Sequence, residues 1–134
     1  MLIVETYLKE VSGKGIGLFA SKLIPKNAVY WVRNTDFDKI ISKTELRSYP
    51  ALTSNFITNY GFQEQSGIWY LCMDNARFVN HSLNPNTFNR FNDTGELIEC
   101  TTTKDILPNE EIVCNYRKTC ITCDVDVDFV VADS

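Results

Sequence analysis

The chain has 134 residues, of which 44% are hydrophobic, 12% aromatic and 22% charged, a composition that supports one globular core and leaves no room for a second domain. Thirteen Lys and Arg against seventeen Asp and Glu give a formal net charge of −4, which excludes a non-specific nucleic-acid binder and favours basic partners. No apolar run reaches the length of a membrane span, and MLIVETYLKEVSGKG at the start lacks the basic and long apolar stretches of a secretory leader, so a soluble, intracellular protein without membrane contact is expected.

Strand-like runs rich in β-branched and aromatic residues follow one another along the chain: LIVETYL at 2–8, GLFAS at 17–21, AVYWV at 28–32, IWYLCM at 68–73, NTFNRF at 86–91, LIECTTT at 97–103 and EIVCNY at 111–116. Turn signals separate them, among them SGKG at 12–15, IPKN at 24–27, NPN at 84–86 and LPNE at 107–110. A mostly β fold with short helices is therefore expected. The main helix is read over residues 36–48, where Phe37, Ile40, Ile41 and Leu46 are apolar and Pro50 stops propagation. A second short helix is read over 51–58, and a helical turn around 75–79. The last fourteen residues, ITCDVDVDFVVADS, hold four Asp and no base, so the acidity belongs to a tail; the expected division is a domain over 1–116 and a tail over 117–134.

Three segments carry candidate chemistry. SGKGIGLFA at 12–20 sets three glycines on alternate positions ahead of a strand, which allows a sharp bend and close approach of a ligand, or a plain turn. DNARFVNHSLNPNT at 74–87 contains the single histidine, His81, beside Asn80. That pair offers donors and acceptors suited to the edge of a purine, and a satisfied buried histidine is the alternative. NEEIVCNYRKTC at 109–120 ends a strand on Tyr116, a position that on its own is usually core or rim packing and less often chemistry. The five cysteines, at 72, 100, 114, 120 and 123, are an odd set, which argues for reduced thiols over a paired disulfide framework.

In this order and spacing the three segments resemble the SET domain of protein-lysine methyltransferases. GKGIGLFASKLIPKNAVY is similar to the family's glycine motif and following turn, ARFVNHSLNPNT to its RFINHSCxPN motif, and NEEIVCNY to its GEELTFDY motif. The resemblance implies a β-clip fold whose chain end threads under a preceding loop as a C-terminal pseudoknot. It also implies S-adenosylmethionine as cofactor, with a basic, lysine-containing protein as partner, histone-like tails included. By the same resemblance Lys14, Gly15, Ile16 and Gly17 would face the methionine part of the cofactor. Asn80 and His81 would hold its ammonium and adenine ends, mainly through main chain, and Tyr60 in NYGF would line the same site. Tyr116 would be the catalytic tyrosine, and Trp31, Asn89 and Cys114 would wall the substrate channel.

Two departures matter. Where many members carry YxG after the glycine strand, this chain reads WVRNTD, with Arg33 near the expected tyrosine. The family's zinc-binding tail needs a cysteine where Leu83 stands, and only Cys120 and Cys123 follow Tyr116, so a four-thiolate site is incomplete and no metal is expected. The alternative to a lysine methyltransferase is a SET-like module that binds a basic peptide or the cofactor without turnover. Because Asn89 and Cys114 carry no phenol, addition of more than one methyl group is expected.

Overall fold

The computed structural model describes residues 1–116. It is mostly strand with short helices, as the sequence predicts. β1 (Thr6–Val11) and β2 (Gly15–Ala20) form an antiparallel hairpin in register from Thr6 opposite Ala20 to Val11 opposite Gly15. The turn between them places Gly13 and Gly15 at φ of 80° and 86°, the left-handed region that glycine enters without a Cβ penalty. β1 is the outer strand, and β2 sends Leu18, Phe19 and Ala20 into the core. β3 (Val29–Val32) pairs antiparallel with β9 (Leu97–Thr102), which pairs on its other side with β8 (Thr87–Phe91). A second sheet runs β4 (Lys39–Ile41), β6 (Trp69–Leu71), β5 (Phe62–Gln63). α1 (Lys43–Ser48) and α2 (Ala51–Tyr60) connect β4 to β5.

The helix expected over 36–48 is half right. Residues 39–41 are strand β4, and helix begins only after Ser42. Asn34 first closes a turn by accepting at Oδ1 from the N–H groups of Asp36 and Phe37, both at 3.1 Å. Ile40 and Ile41 then point to opposite sides: Ile40 packs on the main core, while Ile41 is fully buried in a second cluster with Ile57, Trp69 and Leu71. That alternation is the period of a strand. Ser42 and Glu45 form a reciprocal capping box, which starts α1 at that point.

After β6 the chain makes a 3₁₀ turn (Asn75–Phe78), as expected near 75–79, and enters β7 (Asn80–His81). β7 pairs in parallel with β10 (Val113–Cys114), Val113 opposite Asn80 and Cys114 opposite His81. The chain leading into β10 is held on its other side by β2: Ala20 N–H donates to Glu110 O at 3.0 Å and Ile112 N–H to Leu18 O at 2.8 Å. Buried Asn86 acts as a further strand partner, its amide donating to Glu111 O at 2.8 Å and accepting from Val113 N–H at 2.9 Å. The segment 110–114 is thus held between β2 and β7, consistent with the β-clip fold that the resemblance implies. Among the described residues no helix is long and apolar enough to cross a membrane. The tail over 117–134, with Cys120 and Cys123, lies outside the described residues.

Candidate active site

Two groups of residues meet at Tyr116. The first surrounds the glycine turn. The Asn80 amide donates to Ile16 O at 3.2 Å and to Glu111 Oε2 at 2.8 Å, so it ties the turn to the segment before β10. Gly17 lies against this knot, where a Cβ would fall 2.6 Å from Glu111 Oε2 and 3.1 Å from Asn80 Nδ2. The Lys14 ammonium donates to His81 O at 3.3 Å. A Cβ at Gly13 or Gly15 would meet nothing within 4 Å, so that side of the turn is open. Lys14, Gly15, Ile16, Gly17, Asn80 and His81 are therefore assembled in one place. His81 is fully buried, so its imidazole is not open to a ligand. The imidazole instead accepts from Tyr116 N–H at Nδ1, at 3.0 Å, and stands 5.2 Å ring to ring from Tyr116.

The second group lines a cavity of ≈ 640 Å³ that reaches from the end of α2 to β10, a size common for small-molecule sites. Tyr60, Trp31, Asn89, Cys114 and Tyr116 all line it, so every expected channel residue is present, Asn89 included. The Tyr116 hydroxyl donates to Val79 O at 2.7 Å, and with the N–H fixed by His81 the side chain is held at both ends. Burial, then the neighbouring Cys114 and Glu111, raises its pKa well above the ordinary phenol value of 10.0. It is a neutral hydroxyl, with oxygen lone pairs left to accept a second hydrogen bond.

Several lining residues carried no signal of their own in the sequence. Tyr30 joins Trp31 at the cavity although the two are consecutive on β3. A register shift between Val29 and Trp31 inserts Tyr30 as an extra residue opposite β9, and a bulge of this kind re-aims the side chain it adds. Arg77, from the ARFVNHS segment, lines the cavity too; its Nε donates to Cys72 O at 3.0 Å and its guanidinium lies 5.5 Å from the Phe56 ring centre. Cys72 and Cys100 join Cys114 on the wall. Burial pushes the Cys72 thiol up to about 12 and Cys100 higher still, so both are protonated and poor nucleophiles.

Arg33 does not line the cavity. Its guanidinium makes a bidentate pair with Glu64, at 2.8 and 2.9 Å, donates to Leu97 O at 3.1 Å and stacks 4.7 Å over Tyr70. Glu64, 2% exposed, also accepts from Leu97 N–H at 2.7 Å. The pair clamps the end of β3 to the β5–β6 turn and the start of β9. Trp31, two residues earlier on β3, does line the cavity and packs edge-on against Tyr70 at 5.7 Å.

A family model for the SET domain matches residues 15–117. The chain belongs to the SET-domain family. Among curated protein sequences none matches. Similar solved structures include an apo Polycomb Repressive Complex 2 from Chaetomium thermophilum with substitutions in Ezh2, at a TM-score of 0.65 and 24% identity. The same complex in an autoinhibited conformation bound to S-adenosylmethionine aligns at 0.62 and 24%. A Plasmodium falciparum candidate histone methyltransferase aligns at 0.59 and 19%, over 96% of its own length. Each covers 84% of this chain, which spans 15% of the Chaetomium chains. At these identities the likeness is one of fold.

Proposed function

We propose that this SET domain transfers a methyl group from S-adenosylmethionine to the ε-amine of a lysine in a basic protein. The observation that carries the reading is Tyr116, a neutral phenol on the cavity wall whose hydroxyl is fixed by Val79 O and whose backbone is fixed by the His81 imidazole.

The residues present suit the cofactor. The open side of the turn at Gly13 and Gly15 leaves space for a ligand to approach the backbone. Around it stand the donor and acceptor types that an amino-acid sulfonium needs: the Glu111 carboxylate and main-chain carbonyls for an ammonium, Lys14 for a carboxylate. Tyr60, 5.7 Å from Phe78 ring to ring, offers aromatic surface for adenine. Lys14, Gly15, Ile16, Gly17, Asn80, His81 and Tyr60 would hold the cofactor. When bound, it supplies a methyl on a positive sulfur, and the carbon–sulfur electron pair stays with sulfur as the amine lone pair forms the new bond.

The protein's own part is to orient the amine and to favour its neutral form, the proton passing to water before transfer. Lysine has a pKa of about 10.4 in water, so a neutral amine must be favoured by the cavity. Burial does so, and Arg77 on the wall, with no carboxylate among the described lining residues, adds to it. The Tyr116 oxygen accepts one N–H and aims the lone pair, a gain of positioning that needs no metal. Asn89 and Cys114 leave room for further methyl groups. The acidic composition of residues 117–134 would favour a basic substrate through a salt-sensitive field. The protein would act inside the cell.

A second reading, a module that holds a basic peptide or the cofactor without turnover, draws on Arg33 standing where the family carries tyrosine. The two-point fixation of Tyr116 favours the enzyme. Calorimetry with S-adenosylmethionine tests the shared premise: one-to-one binding is expected, and no heat at millimolar cofactor with folded protein would overturn the enzyme reading.

A further inference from the structure

Several polar groups around the inner cavity are paired within the protein, although the buried Trp31 indole N–H has no hydrogen-bond partner. The Tyr116 hydroxyl donates to Val79 O, and the Cys100 thiol donates to Asn89 Oδ1 at 3.2 Å. Tyr30, brought to the wall by the β3 bulge, has its hydroxyl within hydrogen-bond reach of Thr87 and Cys100. Thr87 in turn donates to Val113 O at 2.8 Å. Six aromatic residues, Tyr30, Trp31, Tyr60, Phe62, Trp69 and Tyr116, share the lining with the three cysteines and with the polar Thr58, Asn59, Asn89 and Arg77. No carboxylate is found among the described lining residues.

We propose that the cavity retains methylated lysine, holding the side chain more tightly with each methyl group it carries. This rests on the reading of the cavity as a lysine channel and names its preferred occupant. A primary ammonium brings three N–H donors and a tight hydration shell, and it loses free energy wherever the site cannot replace those hydrogen bonds. Here the oxygen of Tyr116 serves one donor. Each methyl group removes a donor that would go unmet and adds apolar surface, while the positive charge, spread over the methyls, is attracted by ring faces and polarisable sulfur. Arg77 repels either cation, and its guanidinium is turned to Cys72 O and the Phe56 ring, so it does not alter the order. A protein of this kind stays on the lysine it has modified, and binds sites methylated by others.

The two tryptophans of the chain, Trp31 and Trp69, both line the cavity, so their fluorescence reports its occupancy without labels. The full chain, without cofactor, is titrated with tetramethylammonium and ammonium chlorides, and with Nα-acetyl-lysine amide carrying zero to three methyl groups. Saturable quenching by tetramethylammonium but not ammonium is expected, with the trimethylated amide at least about tenfold tighter than the unmethylated one. Asn89→Tyr, which adds a phenol at the wall, is expected to shrink that ratio at least threefold with unchanged circular dichroism; Cys114→Tyr provides a second site for the same change. Equal or weaker binding of the trimethylated amide, or no response to tetramethylammonium, would overturn the proposal. Binding of tetramethylammonium with no lysine amide bound in any form would overturn both the proposal and the reading of the cavity as a lysine channel.

Discussion

Gly17 shows how closely the site is built. Glu111 and Asn80 meet over it because it has no side chain, and a Cβ there would also lie 2.8 Å from Val11 Cγ2. Gly17→Ala should destabilise the protein by about 1–3 kcal/mol through overpacking and weaken cofactor binding, as read by urea midpoint and calorimetry; wild-type values for both would contradict the packing argument. Arg33→Ala should cost more, about 3–5 kcal/mol, because it strands the buried Glu64 carboxylate. A loss under about 1 kcal/mol in urea unfolding would show that Glu64 finds another partner. These two residues were unequally legible. The Gly-Lys-Gly-Ile-Gly pattern marks its own turn, whereas nothing near Arg33 announces Glu64, thirty-one positions away. Tyr30 was hidden for a similar reason: strand alternation assigns it and Trp31 to opposite faces, and the bulge that reunites them depends on pairing with β9.

Strands were readable where a β-branched or aromatic run lay between turn residues, as in β2, β3, β6, β8 and β9, whereas β1 was read at 2–8 and runs Thr6–Val11. β4 was not, because the Ile40–Ile41 doublet fits a helical stripe as well as a strand whose two faces are both covered. The cue that separates them is local: Ser42 and Glu45 are spaced as a capping box, which puts the helix start after the doublet. Ser42→Ala should therefore cost about 1 kcal/mol and lower the thermal midpoint, with β4 and the cavity intact. An unchanged midpoint would mean that packing of Leu46 and Tyr49 on the second cluster sets α1 without its cap. β10 was read too long, over 111–116. Its partners are Asn80 and His81 in parallel, an early strand, and the Asn86 side chain, contacts that no local pattern can specify.

At the scale of the whole molecule, buried acids that must stay protonated set an alkaline limit to stability. Cys72 has an ordinary pKa of 9.0 and is raised to about 12, by burial first and then by Asp38. Cys100, Tyr30 and Tyr116 shift the same way, each chiefly through burial. The folded state holds these protons after the unfolded chain has released them, so the stabilisation is complete below about pH 9 and falls as pH rises toward the folded values. The urea midpoint should be insensitive to these groups from about pH 6 to 8 and drop progressively above about pH 9; a midpoint that holds to about pH 11 would contradict the burial of these groups. Tyr116 belongs to this set and also to the chemistry, and its hydroxyl is the group on which the proposed activity turns. The most direct measurement is methyl transfer from labelled S-adenosylmethionine to a mixture of basic lysine peptides, comparing wild type with Tyr116→Phe. Measurable transfer to lysine that falls at least about tenfold in the variant, equivalent to about 1.4 kcal/mol in the barrier, with S-adenosylmethionine affinity unchanged, is the predicted result. No transfer by wild-type protein that binds the cofactor, or equal turnover in the variant, would contradict it.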